Sequence, residues 1–403
     1  MEKTQMKNRV AQRMSTLSPS LTLAISAKAK AMKQAGEDVV SFGVGEPDFN
    51  TPAHIIEAAK AALDAGHTKY TPSSGLLPLR KAICEKFQKD NGLEYEPSQI
   101  IVSNGAKQSL CNAILSIINP GDEVIIPTPA WVSYVEMVKL AEGVNVLVPA
   151  SVEQDFKITP AQLEAAITPK TKMVLLCSPS NPTGSVYTRE ELKALADVLA
   201  KYPEIIILSD EIYEHINYTG EFCSIAEFPE VADRVVTVNG VSKAYAMTGW
   251  RIGFLAAPIW IAKATQKVQG QYSSNPSSVA QKAAEAAYVG SQDCIEEMRK
   301  AFERRRNLIV ELLGEIPGLR INNPQGAFYI FPEVSAYFGK KNGDAVIKDS
   351  HDLSMYLLEE AHVATVEGAA FCAPDYIRLS YATSDENIKE AVARIKVALA
   401  KLA

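Results

Sequence analysis

The stretch "RVVTVNGVSKAYAMTGWRIGFLAAP", residues 234–258, puts two apolar runs on either side of two lone cations. "RVVTV" reads as a strand and "GFLAAP" as a second apolar run. Between them Lys243 and Arg251 stand eight apart among small, aromatic and apolar residues. Lysines and arginines ordinarily lay their stems along apolar surface and keep the head group wet. A solvated pair is therefore the plain reading, and the neighbourhood has to argue against it. Upstream, "KMVLLCSPSNPTG" (172–184) and "EIIILSD" (204–210) are, like "RVVTVNG" (234–240), short and nearly continuous apolar runs. Such runs suit parallel strands buried on both faces, with helices such as 188–201 between them.

The same alternation extends outward. "QIIVSNG" is a strand followed by a helix from about 106 to 118, and "DEVIIPTP" is a strand followed by helix-like "WVSYVEMVKLA". Before them, helical spacing covers 54–65, ending at Gly66, and 75–92. Beyond residue 290 the character changes. A long charged helix spans 290–314, "GAFYIFPEV" and "YIRLSYA" read as strands of an antiparallel lobe, and "ENIKEAVARIKVALAKL" is a closing amphipathic helix. The expected architecture is a large α/β domain over 46–290. A smaller α+β domain is expected from 1–45 and 291–403, with no repeat or low-complexity tract.

The composition narrows the function. The chain has 403 residues, 47% of them apolar and 22% charged, with a net charge of −6. That balance argues against broad binding to nucleic acid or anionic membranes. No apolar run approaches the ~20 residues a membrane helix needs, and the charged start "MEKTQMKNRVAQRM" lacks a secretory apolar segment. The scattered cysteines form no C-x-x-C pair and suit buried thiols in a reducing cytoplasm. The five histidines show no metal-ligand spacing, so no metal is expected. "NYT" at Asn217 is read as a chance match to a glycosylation acceptor.

Ligands of open parallel sheets bind at the carboxyl ends of strands. The polar residues at those ends are Ser103, Asn104, Gly105, Ala106 and Lys107; Asn181; Asp210 and Tyr213; and Ser242 and Lys243. Two nucleotide readings fail. "IIILSDE" resembles a magnesium-holding strand, yet no G-x-x-x-x-G-K-[ST] loop is present. "VVSFGVGEPDF" starts like a dinucleotide fingerprint but has Asp48 in place of the third glycine. "SNGAKQSL" remains, a glycine turn opening a helix, where free amides and the helix dipole favour a phosphate. Ser242 and the fork of Arg251 complete such a site. A phosphate site, an acid and a lysine together suit pyridoxal 5′-phosphate, which needs a covalent amine, an acid at its ring nitrogen and a phosphate anchor. Lys243 would be the amine, Asp210 the acid, and Asn181 and Tyr213 partners of the ring oxygen.

In this order "GEPDF" (45–49), "KYTPSSGLLPLR" (69–80), "SPSNPTG" (178–184), "SDEIYEH" (209–215), "SKAYAMTGWRIG" (242–253), "GAFYIF" (326–331) and "RLSYA" (378–382) resemble the class I aminotransferases of pyridoxal-phosphate fold type I. Within that family they are most similar to the bacterial aspartate aminotransferases. The resemblance spans nearly the whole chain. It implies a mainly parallel, seven-stranded sheet flanked by helices in the large domain. Lys243 matches the lysine that anchors the cofactor and shuttles the substrate proton, and Asp210, Asn181 and Tyr213 match the ring's partners. Trp131 matches the stacking aromatic, and Gly105, Ala106, Lys107, Ser242 and Arg251 match the phosphate cup. Tyr70 matches a tyrosine lent to the neighbouring subunit's cofactor, which implies a homodimer with shared sites. Arg378 and Gly45 match the grip on the substrate α-carboxylate, and Trp131 and Asn181 also face the substrate.

One branch of the family binds a distal carboxylate with an arginine just before a Tyr-Ser-Asn-Pro segment. Here "QGQYSSNP" holds Gln269, Gly270 and Gln271. The other branch uses a lysine in the "GxKQ" turn, which Lys107 resembles, accompanied by hydroxyls that Ser20 and Thr22 resemble. The expected reaction is therefore amino transfer from L-aspartate to 2-oxoglutarate. A prephenate, aromatic or alanine specificity on the same machinery, or a β-lyase, is the alternative. A non-catalytic regulatory module is a remote one, disfavoured because every cofactor position is kept.

Overall fold

The computed structural model of the protein describes residues 10–18 and 21–403. Among these the strands are β1 (Val40–Ser41), β2 (Ile100–Ser103), β3 (Glu123–Thr128), β4 (Val144–Pro149), β5 (Thr171–Cys177), β6 (Ile206–Asp210), β7 (Val235–Gly240), β8 (Gly253–Ala256), β9 (Tyr329–Ile330), β10 (Lys341–Asn342), β11 (Ala345–Val346), β12 (Val363–Ala364), β13 (Val366–Glu367) and β14 (Ile377–Ser380). The helices are α1 (Leu21–Gln34), α2 (Ala53–Asp64), α3 (Leu77–Asn91), α4 (Ala106–Ile117), α5 (Val132–Leu140), α6 (Pro160–Ala166), α7 (Arg189–Leu199), α8 (Ile259–Tyr272), α9 (Ser278–Val289), α10 (Asp293–Gly314), α11 (Ser350–Glu360) and α12 (Asp385–Ala400).

The large sheet has seven strands in the order β2-β8-β7-β6-β5-β3-β4. All run parallel except β8, which is antiparallel to both β2 and β7. "GFLAAP" is thus the reversed strand, and the reversal leaves β2, β5, β6 and β7 ending on one rim. β6 and β7 are buried at every residue, which is why each opens on an unbroken apolar run instead of an alternation, with its polar residues toward the end. One face packs Leu110, Tyr134 and Ile261 from α4, α5 and α8, and the other packs Leu163 and Leu195 from α6 and α7. Each such side chain contributes about 1.5–3 kcal/mol on burial.

Local signals set the helix starts. Thr188 accepts from the Glu191 amide at 3.2 Å while the Glu191 carboxylate accepts from the Thr188 amide at 2.8 Å, a capping box that fixes α7. Such a cap adds about 1 kcal/mol. α10 begins at Asp293, three residues later than its charge pattern suggests, because Gly290 ends α9 instead. The short sheet β13-β14-β9 is antiparallel and packs with α10, α11 and α12 around Phe302, Phe328, Leu353 and Ile395. β1 pairs in parallel with β12, which ties the segment before residue 45 to that lobe. Asp48 of "GEPDF" takes a two-pronged salt bridge from Arg305 of α10, at 2.7 and 2.9 Å. This fastening accounts for the acid that stands in place of the fingerprint's third glycine.

All six cysteines are free, but only Cys223 is fully buried and the other five are half-buried. The expectation of buried thiols is corrected to that extent. Among the described residues no helix is long and apolar enough to cross a membrane.

Candidate active site

The rim formed by β2, β5, β6 and β7 opens into a cavity of about 460 Å³. Its walls include Gly45, Ala106, Lys107, Trp131, Asn181, Asp210, Tyr213, Ser242, Lys243, Arg251 and Arg378. Segments as distant in sequence as "GEPDF" and "RLSYA" meet there.

Lys243 follows β7 by three residues, and its Nζ donates to the Gly45 carbonyl at 2.5 Å. Burial pushes this amine down to about 8, with the Arg378 guanidinium as the next cause; Glu46 opposes, and Arg251 adds a smaller push. Arg378 is thus the chief cationic neighbour, ahead of Arg251. Asp210 ends β6 almost fully buried; Tyr134 donates to its Oδ2 at 2.6 Å and the Ile212 amide to its Oδ1 at 3.3 Å. Burial lifts this carboxyl to about 6, and the Tyr134 hydroxyl holds it from rising further.

Arg378 of β14 reaches in from the other lobe. Its Nη1 donates to Asn181 Oδ1 at 3.1 Å and its Nη2 to the Gly43 carbonyl at 2.8 Å. Its buried Nε has no partner among the described residues. Tyr213 places its hydroxyl 2.9 Å from that of Tyr329. Gly45 passes so close to Tyr329 that a β-carbon would lie 2.8 Å from the phenol oxygen.

At the far wall no side chain among the described residues caps α4 at Gly105. Arg251 closes over that turn, its Nη2 donating to the Asn104 carbonyl at 3.3 Å and its Nη1 to Thr248 at 2.9 Å. Gly105 has φ +85°, a conformation that favours glycine, and a β-carbon there would sit 2.5 Å from Arg251 Nη2 and displace the guanidinium. Lys107 stands 5.0 Å from the centre of the Trp131 ring. Its amine is lowered by burial and then by Arg251.

Two expected residues, Gly105 and Tyr70, do not line this cavity. Tyr70 is 92% exposed and is not part of its own chain's pocket wall. Ser20 lies outside the described residues, and Thr22 is described only as a backbone position of α1. Four polar side chains of the pocket were not singled out from sequence: Tyr134, Tyr329, Glu46 and Thr248. Tyr134 lies one helical turn after Trp131, the spacing that puts two side chains on one face. Glu46 and Tyr329 lie within the quoted "GEPDF" and "GAFYIF", and Glu46 accepts from Thr248 at 2.8 Å.

A family model described as "Aminotransferase class I and II" matches residues 37–395. The chain belongs to the class I and II aminotransferases. It is 51% identical to the aspartate/prephenate aminotransferase of Cereibacter sphaeroides, over 95% of this chain and 97% of that one. It is 52% identical to the aspartate aminotransferase of Geobacillus stearothermophilus, over 96% and 98%. Among solved structures, the aspartate aminotransferase of Rhizobium meliloti superposes with a TM-score of 0.95 at 47% identity, covering 98% of this chain and all of that one. The Thermus thermophilus aspartate aminotransferase with maleate gives 0.91 at 41%, covering 97% and 100%.

An aminotransferase of this family uses pyridoxal 5′-phosphate, and the pocket passes the test of fit. It offers an uncapped helix start with an arginine for the phosphate, a buried acid for a ring nitrogen and a lowered lysine amine for a carbonyl carbon. The unpaired Arg378 Nε is a further polar group that a bound anion would satisfy.

The lowered amine has a kinetic consequence. Only neutral Nζ attacks a carbonyl, and below a pKa of about 8 the neutral fraction falls about tenfold per pH unit. Covalent capture of pyridoxal phosphate by the cofactor-free aminotransferase is expected to accelerate up to that pH and then level off. Stopped-flow absorbance between pH 6 and 10 reads this directly. A rate still climbing at pH 10 would mean an ordinary lysine.

Proposed function

We propose that the chain transfers the amino group of L-aspartate to 2-oxoglutarate, giving oxaloacetate and L-glutamate. The observation that carries this is a pair of cations in one pocket: Arg378 on one side, and Lys107 over Trp131 on the other. Two separated cations suit a substrate with two carboxylates. The Thermus relative solved with maleate, a dicarboxylate, supports the same reading. The Cereibacter relative named for prephenate as well favours a second reading, in which the pocket also admits that larger dicarboxylate.

Bound pyridoxal phosphate supplies an electrophilic carbon and a ring that accepts the electron pair released at the substrate's α-carbon. Lys243 Nζ, once free, would be the base that holds and moves the α-carbon proton. Asp210 holds a proton at the ring nitrogen, and Tyr134 holds Asp210. Tyr213 and the Asn181 amide would bind the ring oxygen, and Trp131 would stack on the ring. Ser242, Arg251 and the start of α4, Gly105 to Lys107, bind the phosphate. Arg378 and the Gly45 backbone bind the α-carboxylate, while Lys107, with Ser20 and Thr22, binds the distal one.

The two lobes, 46–290 and 1–45 with 291–403, would close on a bound carboxylate and exclude water. The exposed Tyr70 supports a homodimer in which each subunit lends that residue to its partner. A cytoplasmic enzyme fits the free cysteines and the absence of a membrane-crossing helix among the described residues.

The test is the visible spectrum of the loaded protein. L-aspartate alone should abolish the cofactor's long-wavelength band, and 2-oxoglutarate should restore it, while L-alanine acts far more slowly. A band that ignores aspartate but responds to a monocarboxylic amino acid would overturn the dicarboxylate reading.

A further inference from the structure

Gln269 lies in the last turn of α8 with no exposed surface. A glutamine amide has two lone pairs and two hydrogens to satisfy, and here all are used. Ser103 donates to its Oε1 at 2.6 Å and Asn112 at 3.1 Å. Its Nε2 donates to the carbonyls of Ser73 at 2.6 Å and Val102 at 2.7 Å. These partners belong to three separate pieces. Val102 and Ser103 end β2 and lead into the Asn104–Gly105 turn, Asn112 belongs to α4, and Ser73 belongs to the arm that carries Tyr70.

A second clip lies beside the first. The Asn104 amide donates to Gln108 Oε1 at 2.7 Å, and Gln108 Nε2 donates to Ser273 at the end of α8 at 2.6 Å. The end of α8 therefore grips the turn from both sides without touching the cavity itself. A fully satisfied buried amide specifies one arrangement of its partners, since any shift leaves polar groups unpaired at low dielectric. Backbone amides facing an anion depend on that fixity, because hydrogen bonds weaken steeply as their angle degrades.

We propose that Gln269 is a positioning residue for the phosphate turn, setting how strongly the protein distinguishes a phosphorylated cofactor from the same aldehyde without its phosphate. Through Ser73 the same side chain fixes the root of the Tyr70 arm, so one buried amide aligns the subunit's own phosphate turn with the residue it presents outward. The proposal rests on reading the start of α4 as the phosphate site.

The test titrates the cofactor-free full chain with pyridoxal phosphate and with pyridoxal, in wild type, Gln269→Met and Ser103→Ala. The ratio of the two dissociation constants isolates the phosphate. Gln269→Met is expected to cut the wild-type preference by about tenfold and Ser103→Ala by about threefold, with pyridoxal affinity within about twofold of wild type. If both ligands weaken by the same factor, Gln269 is a general packing residue and the proposal falls; it falls equally if the preference is unchanged in both variants. Should Gln269→Met not fold, Ser103→Ala decides, because it removes one donor and leaves the amide held by its other partners. A wild-type protein with no preference for pyridoxal phosphate would instead refute the phosphate site on which the proposal rests.

Discussion

Lys243→Ala is expected to lower turnover of L-aspartate by about four orders of magnitude, the upper range for loss of a positioned proton carrier. The variant should still take up pyridoxal phosphate through Arg251, the start of α4 and Asp210, but without a covalent bond. Stability should not suffer. The folded pKa of about 8 lies below that of an unfolded lysine, so the side chain weakens the cofactor-free fold at neutral pH and stops doing so only above the unfolded value. The melting temperature at pH 7 should therefore be no lower than that of the wild type. Lys243→Arg separates charge from chemistry, because a guanidinium stays protonated and cannot accept the α-proton. It should be as inactive as the alanine variant. Steady-state kinetics and differential scanning calorimetry check both halves, and an active arginine variant would reduce Lys243 to a source of charge.

The second large effect concerns Asp210. Asparagine keeps the shape and leaves a group that can still meet the Tyr134 hydroxyl, now as its donor, so the fold at this buried site should survive. The negative charge does not. Without it nothing holds the proton at the ring nitrogen, and kcat/KM for L-aspartate should fall by about 10²–10³-fold, the scale of losing one preorganised electrostatic contact. Cofactor affinity should fall less than the rate. An Asp210→Asn enzyme within about threefold of wild type in kcat/KM would show that the carboxylate serves only the structure around Tyr134.

What the sequence made legible follows a physical pattern. β5, β6 and β7 are buried on both faces, so their apolar runs were continuous and the polar residues at their ends stood out. β4 is an edge strand with Val144 and Leu147 nearly half exposed, so "VNVLVP" showed neither a buried run nor an alternation. The reversal of β8 was hidden because a buried strand looks alike in either direction. In α8, α9 and α11 the helical pattern is blurred by buried polar residues such as Gln269, Gln281 and Ser354, whose partners lie on other segments.

The site divides in the same way. Lys243, Asp210, Asn181 and Arg378 were found because strand ends and ordered motifs announce them. Tyr134 was passed over because its partner Asp210 is 76 residues away and nothing local marks the pair. Gln269 was noticed for the arginine it replaces, whereas its buried hydrogen bonds make it a fastener. No motif carries that information, since it lies in contacts across 166 and 196 residues.

The most direct test of the account is reduction of the pyridoxal-phosphate-loaded protein with borohydride, before and after L-aspartate in the absence of any oxo acid, followed by peptide mass mapping. The account predicts the cofactor's mass on the peptide containing Lys243 before aspartate, and an unmodified Lys243 peptide afterwards. A label on Lys107 or another lysine, or a Lys243 label that aspartate does not remove, would contradict it.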